Sequence, residues 1–461
     1  MKGGKMRKFL PLILTISTLL FLAGCTGKNI PSVLDVVASD SVTTQEVVSP
    51  PSTTRASQVT TRITTNSATT ITVEEELPDE EVGSPTGYSV EQSQEFPIEG
   101  KIAIICNSRT NSYEEYYSAQ KVVKKYGEDK ITQVFWPDSY TTDWEREEML
   151  QTILELGDDP EVRVIITNQT KPGVDKDLQR LLEVRDDMFI ICIEPFIRSG
   201  INVEDLCNSA DFVLQVDYIG MGPAMVRQAK ALGANTFVHY YTYSHQFVDG
   251  SIIPRIEELR KTCEQYGITF LEKIIPHSQI TFDIDWFIED MEKVISCYGL
   301  DTAFFKAHRI DSEYFAKVVI DLGAILPQTE RPSPYGGLDR ALLDPSYLRL
   351  SYRPSYEEII ALEREALAEK NMLGRVSFWP MEASDLLTNA SVEYAMKWMN
   401  GEVPRNGVNV SVLNQLMEEY SGVEVFLTPY VDTDVYYYTG VVGSGKTYDN
   451  FLLMRMDYIT F

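Results

Sequence analysis

From residue 101 onward the apolar positions follow two alternating patterns. Ile102, Ala103, Ile104, Ile105 and Cys106 form an unbroken run, as a strand buried on both faces requires. Tyr116, Ala119, Val122, Val123 and Tyr126 then recur at helical spacing behind Ser112 and Glu115, a capping-box pair. Further strands are predicted at 131–136, 162–167, 189–193 and 212–216. Thr142 and Glu145 open a second capped helix that turns Met149, Leu150, Ile153 and Leu154 inward. This β-α alternation predicts a parallel, doubly wound sheet. It then repeats, with strands at 236–241, 268–275, 303–305 and 324–326. The intervening helices carry apolar faces at Ile256, Leu259 and Cys263, and at Phe287, Met291 and Val294, with another helix at 312–322. The expected fold class is therefore α/β, with two doubly wound parallel-sheet lobes and a cleft between them.

The rhythm breaks over 327–372. Pro332, Pro334, Gly336 and Gly337 require a loop, and 357–370 reads as a polar helix. Structure resumes at 375–380, followed by a helix bearing Leu387, Ala390, Tyr394, Ala395 and Trp398. Val435–Tyr438 and Phe451–Met454 read as arms of a hairpin. The expected organisation is a first lobe over 98–218 and a second over 219–461. The second carries an insertion at about 329–372, and the helix at about 382–400 packs back onto the first lobe.

The N-terminal region has a different character. Lys2, Lys5, Arg7 and Lys8 precede an apolar stretch from Phe9 to Ala23, too short for a comfortable membrane span. It ends in Leu22-Ala23-Gly24-Cys25, which matches the lipobox of bacterial lipoproteins. That match implies a signal peptide over 1–24, cleavage before Cys25, and lipid on its sulfur. The protein would then be held at the outer face of the cell membrane by its acyl chains, palmitate among them. Residues 39–72 hold 17 Ser or Thr in 34 positions, and an acidic run follows. Such a segment buries too little to offset its ordering entropy, so 25–97 reads as a flexible stalk.

The net charge of -27 opposes binding to phosphate backbones, so no nucleic-acid partner is expected. With four histidines and no C-x-x-C, a zinc ribbon or a histidine-rich metal site is not expected, and neither is a cofactor. Cys263 and Cys297 are the one pair of thiols that could form a disulfide, and the sequence leaves this open.

Several motifs tempt. Gly440 through Thr447 fits the Walker A expression, but 14 residues follow it and its flanks look like hairpin arms, so it reads as a glycine-rich turn. Gly220-Met221-Gly222 lacks the third glycine of a dinucleotide fingerprint and reads as a crossing between lobes. Ser118 and Lys121 match S-x-x-K without its companion motifs. His239 and His245 could bind metal, but His239 lies in an apolar strand and reads as a core histidine. No acid, base and nucleophile set emerges, so the chain is not expected to be an enzyme. In open parallel sheets, ligands bind beyond the carboxyl ends of the strands. Those ends carry Asn107, Ser108, Asn168, Gln169, Glu194, Asp217, Tyr241, His245 and His308, with Trp136 and Trp379 nearby for stacking. Arg109 and Arg309 are the nearby cations, a balance that favours a small neutral polar ligand or one bearing an amine.

The arrangement resembles the type I periplasmic binding proteins, whose chain crosses three times between two doubly wound lobes. Phe378-Trp379-Pro380 and the stretch from Met399 through Gly401, Glu402 and Pro404 are similar to that family's late strand and crossover helix. Thr236–Tyr240, Asp301–Phe305 and Pro332–Tyr335 resemble an uncharacterised lipoprotein family of anaerobic Gram-positive bacteria, near the basic membrane lipoproteins. The resemblance implies capture of a small solute, with an ABC permease as partner; ligand sensing or interaction at the surface, without transport, is the alternative.

Overall fold

The computed structural model describes residues 98–461, apart from 140–141, 198–200, 243–249, 277–283, 309–310, 345–352, 406, 434 and 437–440. The expected signal peptide, Cys25, the stalk and His245 lie outside the described residues.

Five strands begin the first sheet: β1 (Lys101–Cys106), β2 (Ile131–Phe135), β3 (Val162–Asn168), β4 (Phe189–Ile193) and β5 (Phe212–Val216). They pair in parallel in the order β5-β4-β3-β1-β2. Ile102, Ile104 and Cys106 join one apolar cluster, Ala103 and Ile105 another. Both faces are covered, which is why the run had to be unbroken. Helix α1 (Tyr113–Tyr126) covers one face with Ala119, Val122 and Tyr126. Helices α2 (Asp143–Asp158), α3 (Val174–Leu182) and α4 (Val203–Ser209) cover the other. Thr142 and Glu145 form the expected capping box on α2. Ser112 makes no side-chain cap on α1, because Glu115 turns inward to meet Gln169.

The chain crosses to the second lobe at 217–221. Helix α5 (Met221–Ala231) lies against α6 (Ile252–Tyr266). A Cβ at Gly222 would come within 3.0 Å of the Arg255 carbonyl oxygen, so glycine permits that approach. Strands β6 (Thr236–Thr242), β7 (Thr269–Ile275) and β8 (Thr302–Lys306) pair in parallel in the order β7-β6-β8. Helices α7 (Ile284–Tyr298) and α8 (Ser312–Asp321) follow β7 and β8. Single parallel bridges, Ala303 to Ile325 and Leu326 to Val376, carry the sheet onward to β9 (Ser377–Phe378). The insertion holds a tight turn at Pro334–Leu338, a short α9 (Asp339–Leu342) and α10 (Tyr356–Glu369), capped by Ser355 and Glu358.

After β9 the chain returns. Helix α11 (Ala383–Met399) packs on α1 and beneath β3 and β4, with α12 (Val410–Ser421) beside it. Strand β10 (Val425–Val431) turns through the small ladder β11 (Val435–Tyr436) and β12 (Val441–Val442) into β13 (Thr447–Met456). Strand β13 joins β5 in parallel, and β10 pairs antiparallel outside it, completing seven strands. This corrects the assignment of 219–461 to the second lobe, since more than the one helix returns. The physical reason lies at β5, whose five residues are all buried and whose outer edge needs a covering strand. A third crossing leads to β14 (Ile459–Thr460), antiparallel to β9, and Phe461 is buried in the second lobe. Three crossings between two parallel-sheet lobes are the arrangement implied by the resemblance to type I periplasmic binding proteins.

One apolar cluster runs through both lobes, from Ile104 and Leu214 to Phe237 and Ala303, by way of Met221, Trp379 and Met381 at the crossings. Cys263 is buried, Cys297 is exposed, and both are free thiols.

Candidate functional site

The carboxyl edge of the first sheet carries a row of polar groups. Asn107, after β1, donates from Nδ2 to Gln169 Oε1 at 2.7 Å. Gln169, after β3, donates from Nε2 to Glu115 Oε1 at 2.6 Å. Glu115 is 4% exposed, and its second oxygen, Oε2, is buried without a partner. Burial raises its pKa above the usual carboxylate range, and neighbouring Glu114 adds to this while Arg331 opposes it. Glu194, after β4, accepts from the Val216 amide and from the Tyr218 hydroxyl. Burial pushes Glu194 up to about 7 against those hydrogen bonds. Gln169 and Glu194 both have left-handed backbones, φ 54 and 47. Neither is glycine, and adjacent strand ends holding two such residues store strain of the kind that clusters at binding sites.

The second lobe answers with residues the sequence reading missed. Arg331, at the start of the insertion, pairs with Glu114 on α1. Arg353 pairs with Glu382 at the second crossing, at 2.6 Å. Its guanidinium lies 4.0 Å from the Tyr335 ring centroid, and 5.4 and 5.7 Å from Tyr113 and Tyr117 on α1. Tyr356 also donates to Glu382, while its ring sits 5.1 Å from the Lys121 ammonium of the first lobe. Thus the insertion is docked across the seam by two arginines and two tyrosines. Lys171, after β3, is buried, which lowers it to about 8, and the Glu115 carboxylate opposes that fall. Arginines in a loop give no periodic signal; the two next to tyrosine-rich, Pro-rich sequence were the only hint.

The other strand-end candidates are placed as follows. Ser108 bonds Asp138 at the surface of the first lobe, at 3.1 Å. Asn168 is fully buried, donates to Thr388 on α11 at 2.9 Å, and keeps Oδ1 unpaired. Asp217 accepts from the Gly220 amide and pairs with Arg455 on β13 at 3.0 Å, which ties the first crossing to the first sheet. Tyr241 donates to Glu272 on β7 at 2.7 Å. His308 is half-buried, and its carbonyl accepts from Lys306. Trp379 is 2% exposed in the shared apolar cluster, so it packs between the lobes rather than lying open for stacking. Trp136 is also buried, donating to the Asn168 carbonyl. The structure therefore joins Asn107 through Gln169 to Glu115, with Glu194 held apart by Val216 and Tyr218, while Ser108, Asn168, Asp217, Tyr241 and Trp379 are engaged elsewhere.

Residues 100–377 match the family described as "Protein of unknown function (DUF3798)". The chain belongs to this family. A curated relative, an uncharacterized protein of Treponema pallidum (strain Nichols), is 27% identical over 179 residues, covering 38% of this chain and 80% of its own. Among solved structures, the chain is similar to a proposed transcriptional regulator from Clostridium difficile 630, with TM-score 0.66 and 20% identity. That match covers 79% of this chain and 99% of the other, and it shows a shared fold. A sugar ABC transporter from Actinomyces odontolyticus ATCC 17982 aligns at TM-score 0.46 and 10% identity, over 78% of this chain and 95% of that one. The DUF3798 segment holds the polar row, Arg331 and Arg353; Glu382 lies just beyond it.

The remaining motifs are accounted for by local structure. The Walker-like stretch folds around a carboxylate of the chain itself. Asp432 Oδ2 accepts from the amide and hydroxyl of Ser444, both at 2.8 Å, and its carbonyl accepts from Gly445. Lys446 reaches Glu204 at 2.9 Å. The nest that would cradle a phosphate is filled by Asp432. Ser118 bonds the Glu114 carbonyl within α1. His239 is fully buried with both ring nitrogens unpaired, and burial beside Arg255 drives its pKa well below the usual range. Among the described residues, no group of three or more His, Cys, Asp or Glu could hold a metal ion.

Proposed function

We propose that this DUF3798 protein is a lipid-anchored, extracytoplasmic solute-binding protein that captures a small polar ligand between its lobes, without catalysing a reaction. The observation that carries the reading is the set of polar groups at the carboxyl edge of the first sheet, with Gln169 and Glu194 in left-handed conformation and Arg331 of the opposite lobe paired to Glu114 on α1. Open parallel sheets bind ligands at this edge. The lipobox at Cys25 and the stalk sequence support export and anchoring, and an ABC permease in the same membrane would receive the solute. That Ser118 is spent within α1, bonded to the Glu114 carbonyl, favours binding over S-x-x-K acyl chemistry.

A thermal-shift screen tests this. Sugars, nucleosides, amino acids and phosphate esters are offered to the purified body, and one class should raise the melting temperature. Ligand at 100 times its Kd adds about 2.7 kcal/mol of stability. Incorporation of a fatty-acid analogue that vanishes in Cys25→Ala tests the anchor.

A further inference from the structure

Two incomplete groups lie near the point where Arg331 of the second lobe meets Glu114 of the first, the residue next to Glu115. On the first lobe, Glu115 has one carboxylate oxygen occupied by Gln169 and the other buried with no partner. On the second, Arg331 uses Nη1 for Glu114, and its other N–H groups make no hydrogen bond among the described residues. The Arg331 side chain keeps 35% of its surface exposed. Each group lies within electrostatic reach of the other, and Glu194 senses both. A buried carboxylate oxygen needs a donor, and an ammonium supplies up to three. The open side of a guanidinium matches a planar carboxylate. Neutral hydroxyls would serve Glu115 but offer only uncharged acceptors to the side of the guanidinium that Glu114 leaves free. A phosphate ester would bring a second negative charge towards Glu115 and Glu194, while Arg331 is already shared with Glu114.

We infer that the ligand is a small zwitterion, whose charged nitrogen is held by Glu115 with Glu194 nearby, and whose carboxylate is held by Arg331. This rests on the solute-binding reading above and narrows it. Glu115 and Arg331 become the specificity-determining pair, one from each lobe, so neither lobe alone recognises the ligand. Glu114 occupies Arg331 in the absence of solute and yields one side of the guanidinium to it.

The test uses the common α-amino acids, each beside its decarboxylated amine and its deaminated acid. Glucose, ribose, adenosine and glucose 6-phosphate serve as other classes. Binding is read by thermal shift and then by calorimetry on the residues 98–461 body within the full chain. At least one amino acid should bind, with both of its halves tenfold or more weaker. In Glu115→Gln the advantage of the amino acid over its deaminated acid should fall to about one. In Arg331→Met the advantage over the amine should fall likewise. Glu115→Asp and Arg331→Lys, which keep the charges, should restore part of each and guard against a loss of folding, as should circular dichroism. Binding of sugars, nucleosides or phosphate esters alone overturns the zwitterion and leaves solute binding standing. Binding of nothing in the panel counts against both. An amine preference that survives in Glu115→Gln removes Glu115 from the site.

Discussion

The two lobes end their strands differently. In the first, Asn107 after β1 and Gln169 after β3 are hydrogen-bonded in a chain that ends on Glu115, Glu194 follows β4, and one oxygen of Glu115 is buried without a partner. In the second, the corresponding groups are consumed internally. Tyr240 donates to Asp290 at 2.7 Å, Tyr241 to Glu272, and Lys306 to the His308 carbonyl. Tyr240 also packs against Phe287, Phe304 and Phe315. The second lobe instead reaches the seam through its insertion, with Arg331 and Arg353. The rule that strand ends make the site thus describes one lobe, while a loop supplies the other half. The second lobe spends its charges inside: Arg255 is fully buried, bonds both Glu330 oxygens at 3.0 and 3.1 Å, and lies 5.4 Å from the Phe305 ring.

If that contrast is right, removing an acid should hurt the second lobe most. Glu330→Ala strands the Arg255 charge in the core and should cost about 3–5 kcal/mol in chemical denaturation. A loss below about 1 kcal/mol would mean that Arg255 finds another partner or water. A smaller effect of opposite sign is expected at Glu363 on α10. It is fully buried with neither oxygen bonded, and burial with nearby Asp339 raises its pKa well above the usual range. Glu363→Met should stabilise the protein by about 1–3 kcal/mol, the usual cost of an unsatisfied buried polar group. A loss of stability would show that Glu363 has a role its bare environment conceals.

The gentlest effect per step belongs to the first lobe's strand ends and appears as a pH dependence. Glu194 has its folded pKa raised from 4.5 to about 7, so between those values the folded protein holds more protons than the unfolded chain. Stability from this group is full below about 4.5 and falls as pH rises through 7, at no more than about 1.4 kcal/mol per pH unit. Glu194→Gln keeps an acceptor for the Val216 amide and should flatten that fall in melting curves taken from pH 4.5 to 7.5. An unchanged slope would place the titration elsewhere, with Glu382, also raised to about 7 by burial, the next group to replace.

Much of this fold could be read directly. The apolar run at Ile102–Cys106 and the capping box at Thr142 and Glu145 are local signals, and local forces decide them. The box at Ser112 misled because tertiary contact won: Gln169, 54 residues away, claims Glu115. The return of β13 to β5 was not legible, since its strand pairing joins residues over 230 positions apart and leaves no periodicity to read. Among the strand-end candidates, the structure leaves Asn107, Gln169 and Glu194 at the carboxyl edge of the first sheet. The strand-end rule could not rank them against Asp217 or Tyr241, because only the fold reveals that Arg455 and Glu272 already hold those. Arg331 and Arg353 sit in irregular chain, where spacing carries no information about direction.

The third crossing bears on how the chain acquires its shape during synthesis. The first sheet lacks β10 and β13 until residue 456 has emerged, and the second lacks β14 and Phe461 until the last residues follow. A nascent chain delivered amino end first therefore carries two unfinished sheets, each with an open edge. Neither can serve as a finished template for the other, and final closure must await the tail. Such late, long-range pairing is slow. It makes the interval before that pairing the time when a protease or a folding helper has most access.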